Sequence, residues 1–232
     1  MPSEVREKGV FNQSALNTIF PDGLMVSDPP YNQGYHYASY KDNISSGEYK
    51  NLLRVFRKPC VVIGYPEMII NDLTSILGRV DEVVCWVYPS NTAKQSRLIA
   101  WFGCKPDFKK TPQEYKNPTD KRIAQRISEG KKARGYDWWL INQVKNVSKE
   151  KTIHPCPIPE ELARRIILST AIPGQIIIDP FCGTGTVLKM AKDLGFEIFG
   201  TEIDKSYFNI AKKLTDLRAR LEKDGYTNIK HE

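Results

Sequence analysis

A loop with two glycines follows an all-apolar run near the end of the chain. The run Ile176–Ile178 leads directly into residues 179–185, which read D-P-F-C-G-T-G. Glycines between a buried strand and a helix let the backbone approach a ligand and open the helix N-terminus to it. The carboxylate of Asp179 would repel a pyrophosphate, but it pairs well with an ammonium or a sulfonium. The loop therefore predicts a site for a positively charged small molecule.

A second carboxylate, Glu202, lies at a position where related strand–helix–strand units bind the ribose of a nucleoside. Glu202 ends the next apolar run, 17 residues after Gly185. In a strand–helix–strand unit, an acid at that place accepts hydrogen bonds from two ribose hydroxyls. The dinucleotide fingerprint G-x-G-x-x-G is incomplete, because Leu188 stands where its third glycine would be. By spacing alone the loop is also compatible with an ordinary strand–helix turn.

The tetrapeptide Asp28-Pro29-Pro30-Tyr31 ends another apolar run, at residues 24–28. Asp28 and the Pro29 carbonyl can present two hydrogen-bond acceptors side by side. Prolines fix φ and preorganise such acceptors, and Tyr31 adds an aromatic ring. Taken alone, the tetrapeptide also fits a strand-ending turn with a surface aspartate.

Together these motifs resemble a known family. Residues 179–186 are similar to the S-adenosylmethionine loop of amino-group DNA methyltransferases, D-P-F-x-G-x-G-T, and residues 28–31 to their catalytic motif, D/S-P-P-Y/W. His154-Pro155 with Pro159 resembles the family's H-P-x-x-x-P element. The catalytic motif precedes the cofactor motif, which is the circularly permuted beta arrangement of the family. The resemblance covers residues 20 to 215, approximately.

The resemblance implies methyl transfer from S-adenosylmethionine to the N6 amine of adenine in double-stranded DNA, with the target base flipped out of the duplex. Such a direct transfer needs neither a metal nor a covalent intermediate. The implied catalytic residues are Asp28, Pro29, Pro30 and Tyr31. The implied cofactor residues are Asp179, Pro180, Phe181, Cys182, Gly183, Thr184, Gly185, Glu202, His154 and Pro155.

Several alternatives remain open at this point. Asp28 favours adenine as the target base. The run His154–Pro159, however, departs from the H-P-x-Q-K-P of many adenine-type relatives and is similar to some cytosine-type ones. N4-cytosine methylation is therefore the first alternative. Amine methylation of RNA or protein is a second, although related enzymes place Asn-Pro-Pro-Tyr after the cofactor loop. A DNA-binding module without activity would leave both motifs unexplained. Methylation of cytosine C5 is disfavoured, because neither Cys60 nor Cys156 lies after the cofactor motif.

The positive charge of the chain is confined to one segment. Residues 105–151 hold thirteen basic and six acidic side chains, an excess that equals the net charge of +7 for all 232 residues. A charge run is often only a solvated helix face, but this one lies where the family carries its target-recognition region. We expect Trp138 and Trp139 to fill a small core there. The expected DNA contacts are Lys121, Arg122, Arg126, Lys131, Lys132 and Arg134.

Alternation of apolar runs with helical patterns predicts an α/β fold with a doubly wound, mainly parallel sheet of the class I, Rossmann-like methyltransferase type. We expect residues 1–104 and 152–232 to form the catalytic domain, and residues 105–151 to be an insertion outside the core sheet. The predicted strands are 24–28, 59–64, 82–88, 176–179 and 197–202, with one more near 139–147. The predicted helices are 47–57, 67–77, 120–132, 159–171, 185–194 and 205–223.

The sequence also carries negative expectations. No apolar run approaches 18 residues, so no membrane span is predicted. The charges of Met1–Lys8 are not followed by the apolar core of a secretion signal. The five cysteines form no C-x-x-C pair, so neither a disulfide framework nor a zinc site is expected. The expected location is a reducing cytoplasm. The recognition sequence, a cognate restriction enzyme and the choice between monomer and homodimer are not encoded in any recognisable motif.

Overall fold

The computed structural model describes residues 8–34, 40–91, 93–144 and 157–223. Eight strands of this part of the chain form one sheet. In chain order they are β1 (Gly9–Asn12), β2 (Leu24–Ser27), β3 (Cys60–Gly64), β4 (Glu82–Val87), β5 (Ser96–Phe102), β6 (Trp138–Leu140), β7 (Ile176–Asp179) and β8 (Glu197–Glu202).

The strand order across the sheet is β1-β8-β7-β2-β3-β5-β4-β6, and only β5 runs against the others. The strand that follows β2 in the chain, β3, lies on one side of the β2–β7 pair, and the strand that follows β7, β8, lies on the other side. The direction in which successive strands are added therefore reverses between β2 and β7. Ligands of open α/β sheets bind in the crevice at such a reversal, outside the carboxyl ends of the strands. The expected fold class, a doubly wound and mainly parallel sheet, is confirmed.

Helices cover both faces of the sheet, which explains why its central strands are apolar throughout. Leu24 and Val26 of β2 join one core cluster, and Met25 joins the other. The helices are α1 (Ser46–Leu53), the π-helical segment Met68–Leu73 continued by α2 (Thr74–Leu77), α3 (Lys121–Ser128), α4 (Glu160–Thr170), α5 (Thr186–Asp193) and α6 (Lys205–Lys223). The first cluster includes residues of α4, α5 and α6, and the second includes residues of α1 and of the π-helical segment.

Two strands were not predicted from the sequence. β1 is a short edge strand beside β8. β5 follows Pro89 and a polar stretch that gave no strand signal, yet it pairs with β3 along Cys60–Gly64 and with β4 along Glu82–Val87. None of the described helices has the length and apolar character that a membrane crossing requires.

The expectation that residues 105–151 lie wholly outside the core sheet was wrong. β6 pairs in parallel with β4, through Cys85↔Trp138, Trp86↔Trp139 and Val87↔Leu140. Trp139 is 1% exposed and packs edge-to-face on Trp101, with 6.4 Å between ring centroids. Trp138 is 40% exposed, so its expected place in a core was wrong as well. Alternation along the strand explains the difference, because successive side chains point to opposite faces.

The rest of the basic segment forms an excursion from the body of the protein, here named the basic arm (residues 114–132). One antiparallel pair closes its base, with the N–H groups of Gln113 and Ala133 each donating to the other residue's carbonyl at 2.9 Å. Asp120 caps α3 inside the arm by accepting from the N–H groups of Arg122 and Ile123. No residue of the arm is buried. The helix is shorter than predicted, since it ends at Ser128.

Replacing Trp139 by alanine should destabilise the protein, because the indole fills core space between the sheet and its cover. Loss of a fully buried tryptophan typically costs about 3–5 kcal/mol of unfolding free energy. Its neighbour supplies a matched control. Trp138→Ala removes an exposed ring that contacts the Lys116 ammonium, 4.7 Å from the ring centroid, and should cost below about 1 kcal/mol. Urea denaturation measures both, and equal losses would contradict the placement of β6 in the sheet.

Candidate active site

The two motifs found in the sequence meet at the carboxyl ends of neighbouring strands. Met25 of β2 pairs with Ile178 of β7, so the two parallel strands end within one residue of each other, at Ser27 and Asp179. Asp28 and Asp179 therefore lie at one edge of the sheet, although 151 positions separate them. The Ser27 hydroxyl donates to Asp179 Oδ1 at 2.5 Å and ties the two strand ends together.

The glycine loop is held against β8 and α6 by its own backbone. The Cys182 N–H donates to the Thr201 carbonyl at 3.0 Å, and the Thr201 hydroxyl donates to the Pro180 carbonyl at 2.6 Å. Gly185 has a φ of +89°, a conformation that side chains rarely adopt. A Cβ on Gly185 would lie 2.9 Å from that of Ala211, so the loop packs directly on α6. Gly185 is thus required for two reasons: its positive φ disfavours a side chain, and its contact with Ala211 leaves no room for one.

Glu202 links the glycine loop to the start of α6. Its Oε2 accepts the Gly183 N–H at 2.9 Å, and its Oε1 accepts the Asp204 N–H at 2.8 Å. Asp204 in turn caps α6 by accepting from the N–H groups of Ser206 and Tyr207 at 2.8 and 3.0 Å. Two backbone bonds therefore fix the Glu202 carboxylate at the end of β8, on the wall of a cavity.

That cavity has a volume of about 190 Å³ and contains both motifs. Its polar wall includes Asp28, Arg97, Glu202 and Asp204. Apolar side chains supply most of the remaining surface, and two of them, Leu16 and Ile203, are about half exposed. The apolar members are Ala15, Leu16, Pro29, Pro30, Leu52, Pro180, Phe181 and Ile203, together with the rings of Tyr31, Tyr40 and Tyr207. A small adjoining cavity is lined by Asp179, Cys182, Gly183 and Thr184.

Burial sets the charge state of the acids at the bottom of the site. Burial, helped by the neighbouring carboxylates of Asp28 and Glu202, raises the pKa of Asp179 to about 7, although the hydrogen bonds from Ser27 and the Phe181 N–H lower it. Burial likewise raises the pKa of Glu202. Three carboxyl groups that repel one another in a partly apolar cavity favour a ligand that brings positive charge.

Asp28 has two partners that favour its charged form. Burial raises its pKa, whereas Arg97 and the Tyr31 hydroxyl lower it. Arg97 Nη1 lies 3.6 Å from Asp28 Oδ2, and the Tyr31 hydroxyl donates to Asp28 Oδ1. The Tyr31 ring packs on Tyr65, with 4.9 Å between centroids. Stacking of Tyr31 on a base therefore stays a prediction, since its ring here packs within the protein.

The backbone after Asp28 is anchored on both sides. The Tyr49 hydroxyl of α1 donates to the Pro30 carbonyl at 3.0 Å. The buried carboxylate of Asp42 accepts the N–H groups of Asn32 and Gln33 at 2.8 and 3.0 Å. These bonds fix the tetrapeptide from helix and loop, so its acceptor groups hold one geometry.

The structure brings together most of the predicted site. Asp28–Tyr31, the loop 179–184 and Glu202 surround the two cavities, with Gly185 behind the loop. The predicted His154 and Pro155 lie outside the described residues. The basic residues Lys121, Arg122, Arg126, Lys131, Lys132 and Arg134 line neither cavity.

Sequence reasoning missed several residues of the site. Arg97 was missed because its strand was not predicted, and Ser27 because it precedes the motif. Ser14–Leu16 lie in a short 3₁₀ turn after β1 and carry no motif. Ile203 and Tyr207 could have been found, because they follow the carboxylate that ends β8.

Comparison with known proteins identifies relatives. A family model described as DNA methylase matches residues 23–213. The type II methyltransferase M.BglII of Bacillus subtilis is 34% identical over 147 residues, which cover 56% of this chain. The match spans 41% of the length of that relative.

Solved structures share the fold. The crystal structure of the M1.HpyAVI–SAM complex superposes with a TM-score of 0.60 at 22% identity, covering 89% of this chain and 98% of that one. The cytosine-N4-specific PvuII DNA methyltransferase superposes with a TM-score of 0.59 at 16% identity, covering 94% and 93%. At these identities the likeness establishes the architecture.

The raised pKa of Asp179 predicts a pH-dependent cost to stability. A buried acid with a raised pKa stabilises the fold below its unfolded pKa, near 4, and that contribution is lost as the pH rises through about 7. Asp179→Asn keeps an oxygen acceptor and carries no charge. Its melting temperature should exceed that of the wild type by roughly 3 °C at pH 8, and by less at pH 5.

Differential scanning calorimetry at the two pH values measures this difference. Asp22→Asn is the matched control, since the Asp22 side chain is fully exposed and water hydrates it in the folded and unfolded chain alike. A difference between Asp179→Asn and wild type that stays constant with pH would contradict the assignment.

Proposed function

The chain belongs to the DNA methylase family of amino-group methyltransferases, and we propose that it transfers a methyl group from S-adenosylmethionine to the N6 amine of adenine in duplex DNA. One observation carries the proposal. Asp28 of the tetrapeptide lines two adjoining cavities, the larger one together with Glu202 and the smaller one together with Asp179 of the glycine loop. An amine acceptor thus lies beside the carboxylates that a cationic nucleoside would need.

The residues present fit S-adenosylmethionine. Its positive charges match three carboxyl groups whose mutual repulsion a cation relieves. Glu202 Oε1 and Oε2 each accept one backbone N–H and keep a lone pair for a ribose hydroxyl. Phe181, Leu16 and Ile203 offer apolar surface to a purine. When bound, S-adenosylmethionine supplies an electrophilic methyl group on a sulfonium.

The protein's own part in the reaction is to hold and polarise the amine. The Asp28 carboxylate accepts one N–H bond of the amine, and the Pro29 carbonyl accepts the other, which localises the nitrogen lone pair. The tetrapeptide is held by Tyr49 and Asp42 before substrate arrives, so the acceptors need no reorganisation. As nitrogen gains the methyl carbon it gives up one proton, and the Asp28 carboxylate is the acceptor that faces it.

Adenine is the proposed base because the motif begins with Asp28, whose carboxylate is a full negative charge beside the amine. N4 of cytosine is the second candidate, since the same fold occurs in a cytosine-N4-specific enzyme. Both amines are conjugated with a ring and need the same two acceptors. The target base has to leave the duplex to reach the cavity.

We assign DNA contact to the basic arm. Its basic side chains are exposed, and Arg122 and Arg126 lie one helical turn apart on α3. Arginines can bridge guanine edges in the major groove, whereas lysines contact phosphates without sequence preference. Lys131 and Lys132 already pair with Glu129 and Glu114 at 2.7 and 3.0 Å.

Asp28→Ala should abolish methyl transfer and leave cofactor binding intact, because Asp28 faces the amine. Loss of one preorganised acceptor costs about 10²–10³ in rate. The measurements are tritiated methyl transfer to duplex DNA, tRNA and ribosomal proteins, and calorimetric binding of S-adenosylmethionine. Glu202→Ala is the control with the reverse pattern, since it should lose cofactor affinity. Wild-type activity in Asp28→Ala would refute the catalytic assignment.

The same assay identifies the base. Mass spectrometry of nucleosides from methylated DNA should find N6-methyl-2′-deoxyadenosine. Detection of N4-methyl-2′-deoxycytidine would show that cytosine is the target base, and the proposed mechanism would still apply. Transfer only to RNA or protein would overturn the assignment of substrate.

The arm predicts a salt signature for DNA binding. Lys121→Ala with Arg126→Ala should weaken binding and reduce the slope of log affinity against log salt by roughly 2, because each phosphate contact contributes roughly one. Fluorescence anisotropy with a labelled duplex at several salt concentrations measures the slope. The matched control is Lys212→Ala with Lys213→Ala, which removes the same charge from α6. Equal slopes for both double variants would remove the arm from the interface.

A further inference from the structure

Arg97 is a buried cation that reaches the active site because β5 runs against its neighbours. Its partner across the strands is Trp86, and Leu98 pairs with Gly64 at the end of β3. The start of an antiparallel strand lies where parallel strands end, so Arg97 stands beside the tetrapeptide. Its side chain is 1% exposed, and it lines the main cavity.

Four aromatic rings surround the guanidinium. Its carbon lies 4.9 Å from the ring centroid of Tyr31, 5.4 Å from those of Tyr65 and Trp86, and 5.9 Å from that of Tyr88. All four side chains are buried. A desolvated cation over aromatic faces is stabilised electrostatically. The rings also leave the side chain little room to move, so the position of the charge is fixed by packing.

Among the residues that the structure describes, the carboxylate that pairs with this cation belongs to Asp28. Oδ2 of Asp28 lies 3.6 Å from Arg97 Nη1, and the Asp28 side chain is only 16% exposed. A carboxyl group placed there without a cation would favour the protonated acid. A protonated Asp28 would present a donor where the amine needs an acceptor. The pairing with Arg97 thus bears on the chemistry as well as on folding.

We propose that Arg97 is a positioning residue for methyl transfer: caged by four aromatic rings, it keeps the Asp28 carboxylate ionised and oriented toward the amine. The inference rests on the proposed function and deepens it. Tyr31 takes part twice, since its ring covers the guanidinium while its hydroxyl donates to Asp28 Oδ1. Movement of Tyr31 onto a flipped base would leave Arg97 as the group that holds the carboxylate.

Other titratable groups also face Asp28. They are the Tyr31 hydroxyl, Tyr49 on α1 and Asp179 at the end of β7. Asp179 lies in the proposed cofactor site, so its titration should change cofactor affinity. Turnover at saturating cofactor and DNA therefore isolates the contribution of Asp28.

The test compares Arg97→Met, which keeps bulk among the rings, with Arg97→Lys, which keeps the charge. For Arg97→Met, kcat should fall by about 10²-fold, and the acidic limb of its pH profile should move up by about one unit or more. Activity falls with acid because Asp28 must be ionised, and loss of a nearby cation raises that midpoint. Arg97→Lys should return the acidic limb of the pH profile toward its wild-type position and restore part of kcat. The affinity of this variant for S-adenosylmethionine should stay within about threefold of the wild-type affinity. An unmoved limb or a normal kcat in Arg97→Met overturns the proposal.

A measurement without turnover keeps this test separate from the proposed function. Carbon NMR of labelled aspartate, with Asp28 assigned by loss of its signal in Asp28→Asn, reports its titration directly. In the wild type Asp28 should be ionised at pH 7, and in Arg97→Met its midpoint should rise. A protonated Asp28 in the wild type at pH 7 overturns the proposal even when Arg97→Met does not fold. A wild type that methylates no DNA refutes the proposed function, and the titration still decides the role of Arg97.

Discussion

The site depends on the pairing of β2 with β7. These two parallel strands end within one residue of each other, and the Ser27–Asp179 hydrogen bond joins them where they end. In the proposed function, β2 carries the amine acceptor and β7 carries the loop for the cofactor. A change of one residue in their register would turn the side chains of one strand to the opposite face. The distance between the two motifs is thereby set by the hydrogen bonds of the sheet.

The same arrangement places several carboxyl groups where water is scarce. Asp28, Asp179 and Glu202 each have a raised pKa, with burial as the first cause. The site is therefore strained electrostatically until a cation arrives, and a resident cation, Arg97, is already committed to Asp28. Asp179 and Glu202 have backbone or hydroxyl donors in its place. The free protein gives up stability so that the ligand finds acceptors in position.

Much of this could be predicted from the sequence. Asp28–Tyr31 and Asp179–Gly185 are local signals, since a strand end, prolines and glycines each dictate nearby backbone. β5 and Arg97 were missed although Leu98–Phe102 is an apolar run, because such a short run does not distinguish a strand from a buried helix segment, and the antiparallel place of β5 is defined only by its partners. Trp138 and Trp139 show that the burial of a single residue can also depend on strand pairing that the local sequence does not reveal. Composition placed both in a core, and only the pairing of β6 decides which ring faces inward.

The narrow base of the basic arm would make it a separable unit if it reads the target, as proposed. One backbone pair, Gln113 with Ala133, closes the base of the arm, and no residue of the arm is buried. Chain inserted between two ends that already meet costs little, at about 0.6 kcal/mol for each doubling of loop length. Descendants can therefore lengthen, shorten or exchange residues 114–132 without refolding the sheet. If the arm reads DNA as proposed, sequence preference could then change independently of the residues that line the two cavities.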